Sequence, residues 1–407
     1  MKTILYISYD GMTDPLGQSQ VIPYLAGLSK QGYEFLLLSF EKRDRYQQSG
    51  EMIRKLLAEH EIKWFPETFT KTPPILSKLY DKMVMKKALA RLVKRYKVDL
   101  VHCRSYVAVE AGLDNKQKNN IPVLFDMRGF WVDERVDNGQ WKMDNFFFRK
   151  LYTVYKKKEQ SFLEKSDHII SLTYAGKDEL VSRYKMPEGK ISVIPCCVDT
   201  EHFDYTRIAG HDKISKRTEL GLQPNDKVLT YLGSTNGWYL TDEMLDFFSL
   251  LLGKELATKF LFITYDDADT IKQRAIGKGI PAENILTHPA SRKEVPLFLS
   301  ISNWSIFFIK DAYSKKASSP TKQGEIMAMG IPVICNPIGD TGRIINESGT
   351  GIVVSNFSSE CLLQALGSFE KLSAIEPEKI RKAAIRYFDL KNGIERYRQA
   401  YKSILGE

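Results

Sequence analysis

The feature that most constrains the fold of this 407-residue chain is a repeated order of short β-branched or aromatic runs separated by amphipathic segments. The first series reads KTILYIS (2–8), EFLLLSF (34–40), VDLVHC (98–103), PVLFD (122–126), HIISL (168–172) and ISVIP (191–195). A second reads KVLTYLG (227–233), KFLFITY (259–265), WSIFFI (304–309), IPVIC (331–335) and TGIVV (350–354). Strands alternating with helices build βαβ units and a parallel sheet, so two series in tandem predict an α/β chain of two Rossmann-like domains. The length suits two domains of roughly 100–200 residues each. Between residues 196 and 226 the alternation lapses, which places the boundary near 210: an N-terminal domain over 1–209, a C-terminal domain over 210–385, and a terminal helical stretch over 386–407 packing back on the first. The terminal stretch is broken in pattern at Asp389 and at Asn392–Gly393.

In open parallel sheets ligands sit beyond the carboxyl ends of the strands, so the residues after each run are the candidates. The stretch SPTKQGEIMAMGIPVICN (319–336) has a capping serine, a proline suited to a helix start, and a glycine suited to a left-handed cap. On this short apolar helix Lys322 and Glu325 share a face. A lysine there is costly unless paired or bound to an anion, and the helix start at Ser319–Thr321 also favours negative charge. Two readings stand at this point: a surface ion pair, or a diphosphate on Lys322 with ribose hydroxyls on Glu325.

Other strand ends carry SYDGMTDPLGQSQV (8–21), with Asp10, Asp14, Gly17 and Gln18; HCRSY (102–106), with Arg104; and FDMRGFWVDER (125–135), with Asp126, Arg128, Trp131 and Glu134. Neither GxGxxG nor GxxxxGK[ST] occurs at the first loop, so an NAD site or a P-loop lacks support. In the second series YLGSTNGWY (231–239) offers Gly233 and Ser234, and HPASR (288–292) follows a strand.

These motifs resemble, in order and over most of the chain, the retaining GT-B glycosyltransferases of family 4 (glycosyl transferases group 1), whose fold sets two parallel-sheet domains facing an interdomain cleft. The resemblance implies a nucleoside-diphosphate-sugar donor held by Gly17, Gln18, Gly233, Ser234, Ser319, Thr321, Lys322 and Glu325. It implies an acceptor held near Asp10, Asp14, Arg104 and Glu134, and catalysis resting on Arg128, Asp126 and Lys322, without a metal or other cofactor. The donor would pass its sugar to a hydroxyl of a saccharide or lipid-linked saccharide, in cell-surface polysaccharide or glycoconjugate synthesis. Two departures stand out. Ala317 occupies the place of a glutamate that contacts the donor sugar in many members, and Arg128 falls near a histidine of many others. A sugar-nucleotide epimerase and an inactive nucleotide-sugar-binding subunit are the rival readings.

The formal charge of +9 favours anionic partners, although no nucleic-acid module is recognisable. WKMDNFFFRKLYTVYKKKEQSF (141–162) reads equally as a helix lying on an anionic membrane or as one packed on the N-terminal sheet. The N-terminus reads as a strand rather than a signal peptide, and no stretch approaches the roughly 20 apolar residues of a membrane span. The expected location is the cytoplasm, extending to the inner membrane face if 141–162 contacts lipid. DDAD (266–269) reads as an acidic helix start rather than a metal motif, and the five cysteines read as reduced thiols.

Overall fold

A computed structural model describes residues 1–254 and 257–407. Among the described residues thirteen strands form two sheets, and every pairing between these strands is parallel. The first contains β1 (Lys2–Ser8), β2 (Tyr33–Glu41), β3 (Lys63–Thr68), β4 (Leu100–Arg104), β5 (Val123–Asp126), β6 (His168–Ser171) and β7 (Ile191–Val193), in the order β3-β2-β1-β4-β5-β6-β7. The second contains β8 (Lys227–Leu232), β9 (Thr258–Ile263), β10 (Ile285–His288), β11 (Trp304–Phe307), β12 (Val333–Cys335) and β13 (Gly351–Val353), in the order β10-β9-β8-β11-β12-β13. Both orders reverse direction beside their first strand, between β1 and β4 and between β8 and β11, which is where doubly wound sheets bind ligands. The fold is therefore two Rossmann-like units, as the two series of runs predict.

The central strands read as continuous apolar runs because helices cover both faces of a parallel sheet; Ile4, Leu5, Leu36, Leu37, Phe260 and Leu261 are all fully buried. Two edge strands, β3 and β10, lie outside the two series. β3 carries Lys63, Pro66 and Glu67 and is mostly half-exposed, and a proline is tolerated in a sheet only where no ladder hydrogen bond is needed from it. β10 has four residues, of which only Ile285 is buried.

The first unit comprises Met1–Cys196, Tyr313–Ser318 and Leu390–Glu407; the second comprises Cys197–Ala312 and Ser319–Asp389. The boundary thus falls at 196/197, earlier than the expected 209/210. The irregular stretch after Cys197 belongs to the second core: Phe203 is fully buried there, Val198 N–H donates to the Phe388 carbonyl at 2.8 Å, and Thr200 Oγ1 donates to Asp389 at 2.7 Å. Asp389, extended at ψ 132°, separates helix Pro377–Phe388 from helix Leu390–Leu405. Asn392 and Gly393 lie inside the second helix rather than breaking it, and Gly393 is buried. That last helix packs on helix Ile22–Ser29, where a Cβ on Gly27 would strike the side chain of Ile394. Among the described residues no helix is long and apolar enough to cross a membrane.

The helix of the SPTKQGE stretch runs Thr321–Ala328, one residue later than the sequence suggests. Pro320 is its N-cap, with no capping side chain, so Ser319 does not serve as the cap. Its C-terminus is as expected. Gly330 is left-handed at φ +70°, its N–H donates to Met327 at 3.0 Å, and Ile331 N–H donates to Ile326 at 3.3 Å, a Schellman closure. A Cβ on Gly330 would lie 2.8 Å from the Pro377 Cβ. Gly330→Ala should therefore destabilise the second unit by about 1–3 kcal/mol and lower its melting temperature, read by circular dichroism; an unchanged melt would contradict this packing.

Candidate functional site

In the second unit, β8 ends at Leu232 and is followed by Gly233, whose φ of +108° a side chain would strain. Opposite it Lys322 projects from the first turn of its helix, and a Cβ on Gly233 would lie 3.1 Å from the Lys322 Nζ. The ammonium donates to Tyr231 Oη at 3.0 Å and sits 4.1 Å from the Tyr231 ring centre and 3.6 Å from that of Tyr239. Tyr231 Oη in turn donates to the Ser234 carbonyl. Lys322 is 8% exposed, and burial pushes its pKa well below the ordinary lysine value, opposed only by the charge of Glu325. An ammonium has three donors; among the described residues this one has a single oxygen partner and two π faces, which attract a cation without neutralising it. The arrangement suits a bound anion.

Glu325 does not pair with Lys322. Its Oε1 lies 3.3 Å from Arg292 Nη1, in the HPASR loop after β10. Burial raises the Glu325 pKa, and Arg292, Lys322 and His202 act against that rise. The surface ion pair considered for Lys322 and Glu325 is thus replaced by two separate arrangements on one helix face. Ser234 is less free than its position suggests, because its hydroxyl donates to Asp266 at 3.0 Å. Asp266 also accepts from Thr235 N–H at 2.5 Å and Thr235 Oγ1 at 2.8 Å, which ties down the loop after β8. Asp267 caps helix Ala268–Ile276 through Thr270, so the DDAD motif has local structural work. Thr321 is half-buried at the helix start.

In the first unit the strand ends carry a denser charge cluster. Asp126, fully buried at the end of β5, accepts from Tyr397 Oη at 3.1 Å and Arg128 Nη1 at 3.4 Å, with Arg104 Nη1 at 3.8 Å and His102 Nε2 at 3.6 Å. Burial alone would raise its pKa, but Arg128, His102 and Arg104 hold it well below the carboxylate range. Burial lowers the His102 pKa, which favours the neutral ring; its Nδ1 lies 2.7 Å from Tyr401 Oη. Arg128 donates its other arm to Cys196 Sγ at 3.3 Å. The cations around Asp126 thus favour its anionic form, and its carboxylate aims Arg128. Arg104 lies 3.5 Å from Asp10, which remains half-exposed.

The other acceptor candidates are engaged. Asp14 pairs with Lys42 and Arg45, each at 3.0 Å, and Glu134 pairs with Lys315 at 2.9 Å. Lys315 belongs to the strap Tyr313–Ser318, whose Tyr313 stacks on Phe130 and donates to Glu179 at 2.9 Å. Ala317 of this strap is 3% exposed and packs against Gly176. Trp131 sits in an aromatic group with Tyr106, Trp141 and Tyr155 rather than presenting an open face. Helix Pro15–Gln20 starts at its proline, and a Cβ on Gly17 would strike the Gly11 carbonyl, so that glycine serves close packing within the loop. Gln18 Nε2 donates to the Thr13 carbonyl at 3.2 Å. The tyrosines around Lys322 and the pair Tyr397 and Tyr401 were not singled out from sequence. Tyr231 and Tyr239 flank the glycine loop that was, and that spacing is the available signal.

Comparison with known proteins follows the same division. Residues 17–202 match the family described as Glycosyltransferase Family 4, and residues 212–387 match Glycosyl transferases group 1. A D-inositol 3-phosphate glycosyltransferase of Rhodococcus opacus (strain B4) is 24% identical over 245 residues, 55% of this chain and 51% of that protein. The chain thus spans about half the length of the curated relatives it matches. In structure, a glycosyltransferase from Rickettsia africae ESF-5 superposes with a TM-score of 0.73 at 18% identity, covering 99% of this chain and 98% of that one. Anabaena HepE, solved with UDP and glucose, gives 0.71 at 12% identity, covering 99% and 100%. These structural likenesses are of fold.

The state of Lys322 makes a test independent of any ligand. Replacing a poorly compensated buried charge with an apolar side chain of similar length is often neutral or stabilising, so Lys322→Met should melt at or above the wild type. The folded state holds this lysine below its unfolded value of about 10.4. The wild type should therefore lose stability relative to Lys322→Met as pH falls from about 10.4 through the depressed value. A variant that melts several degrees lower at neutral pH would contradict the assignment.

Proposed function

Because the chain belongs to the glycosyltransferases of family 4 and group 1, we propose that it moves a sugar from a nucleoside-diphosphate sugar to a hydroxyl acceptor with retention of anomeric configuration. The observation that carries this reading is the Lys322 ammonium, buried against two tyrosine rings beside Gly233 with one oxygen partner. A diphosphate supplies the missing acceptors, and the glycine lets it approach. Glu325, one turn on, takes the ribose hydroxyls, exchanging its long contact with Arg292 for shorter hydrogen bonds.

In the proposed reaction the bond from the sugar's anomeric carbon to the diphosphate oxygen breaks, and the acceptor oxygen bonds to the same face. The acceptor proton passes to a departing phosphate oxygen, so the products are a glycoside and a nucleoside diphosphate. No protein nucleophile or metal takes part in this route. The protein supplies positioning and charge: Lys322 and the helix start at Ser319–Thr321 meet the developing negative charge on the leaving group. Arg128, fixed by Asp126, is too basic to remove a proton and serves to stabilise or orient anionic groups. The UDP bound by HepE supports a uridine donor, and the acceptor belongs to the first unit.

Glu325→Ala tests the donor half of this reading. UDP should raise the melting temperature of the wild type, and the variant should bind UDP about 10–100-fold more weakly, the loss expected for charged hydrogen bonds. Equal stabilisation by UDP in the variant would remove Glu325 from the ribose role.

A further inference from the structure

Helix Pro74–Arg95 buries one stripe in the first unit's core, including Asp81, Met85, Leu89 and Leu92. Its opposite side exposes Leu76 at 65%, Leu79 at 54%, Tyr80 at 55% and Met83 at 55%. These four stand at i, i+3, i+4 and i+7, the spacing of a contiguous helical face. Single exposed apolar residues are ordinary, but a stripe on a helix that has already satisfied its core marks an interaction surface.

A second helix adds to it. Phe146–Lys165 begins with Phe146 at 73% and Phe147 at 59% exposure. Glu110, on the intervening helix Ser105–Asn119, pairs with Lys82 at 2.6 Å on one side and Lys158 at 2.7 Å on the other. The three helices therefore form one layer over the sheet. Each connects parallel strands, so each starts near the carboxyl edge, where Asp10, Arg104 and Arg128 also lie. Leu76, Phe146 and Phe147 belong to the first turns of their helices, at that same edge, and Leu79, Tyr80 and Met83 continue the stripe along the first of them.

Charge selects the occupant. Residues 71–97 contain nine Lys or Arg against one acidic residue, Asp81. Asp81 is buried and accepts from Tyr9 Oη at 2.8 Å and Thr70 N–H at 3.1 Å, so this helix adds no acidic group to the outward face. Lys78, Lys87, Lys150 and Lys157 are exposed. Two copies of such a face would repel, whereas an anionic bilayer offers negative headgroups to the lysines and acyl chains to the apolar stripe. Tyr80 has the amphipathic ring favoured at such a boundary.

We propose that this face of the first unit docks on an anionic lipid surface, and that the acceptor hydroxyl is presented there on a lipid carrier. The second clause rests on the transfer reaction proposed above; the first does not.

Co-sedimentation of the full chain with vesicles tests it. The wild type should bind phosphatidylcholine vesicles containing phosphatidylglycerol, more weakly as salt is raised, and should leave pure phosphatidylcholine vesicles largely unbound. Leu79→Ser with Met83→Ser should weaken partitioning about tenfold or more, and Lys78→Gln with Lys87→Gln should do so by a similar factor at low salt. Both pairs should keep the wild-type melting temperature and its response to UDP. The proposal is overturned if the wild type ignores anionic vesicles at low salt, or if both variants bind as it does. It is also overturned if light scattering shows a dimer that the Leu79→Ser, Met83→Ser variant dissolves. Vesicle binding without any UDP response would strike the transfer reaction and leave the docking face standing; UDP response without vesicle binding would do the reverse.

Discussion

One lysine held out of water between two tyrosine rings sets the terms for the second unit. A buried ammonium with a single oxygen partner is unfavourable in the free protein, and the surroundings serve to keep it there. Gly233 leaves room for Nζ, the Schellman closure at Gly330 ends the helix before it can drift, and Gly324 lets that helix approach Phe388 closely, with a would-be Cβ only 3.0 Å from the Phe388 Cβ. Arg381 ties the neighbouring helix to the same place, donating to the Ala328 and Phe203 carbonyls at 2.7 Å each. The position of Lys322 is thus fixed by packing within the second unit itself, before any ligand is considered.

The first unit gathers its charge differently. At its strand ends Asp126 sits within 4 Å of Arg104, Arg128 and His102, the C-terminal helix lends Tyr397 and Tyr401 to the same group, and Arg104 Nε and Nη1 are buried without a hydrogen-bond partner among the described residues. Such a network fixes the direction of Arg128. Arg128 can meet a substrate only as a positioned guanidinium.

Much of this was legible in the sequence, and the failures have physical causes. Apolar runs between helices gave both sheets because parallel strands must be buried on two faces, while β3 escaped notice because an edge strand with Pro66 need not be. Lys322 and Glu325 were found by their type and spacing. Their partners were not, since i, i+3 spacing says which face two side chains share and nothing about what tertiary packing brings opposite them. Tyr231 and Arg292 come from other elements altogether. The 196/197 boundary was hidden because residues after Cys197 lack periodicity yet insert Phe203 into the second core. Leu76, Leu79, Tyr80 and Met83 show the reverse difficulty: a helical apolar stripe reads as core, and only the fold reveals that another stripe of the same helix took that place.

The central claim is that burial lowers the Lys322 pKa in the free protein and that a bound diphosphate raises it again. Calorimetric titration with UDP over a series of pH values below the ordinary lysine pKa of about 10.4, in buffers of different ionisation enthalpy, measures this directly, because an anion beside the ammonium favours its charged form. Net proton uptake on binding is the predicted result. UDP binding with no proton taken up, at any alkaline pH, would contradict it.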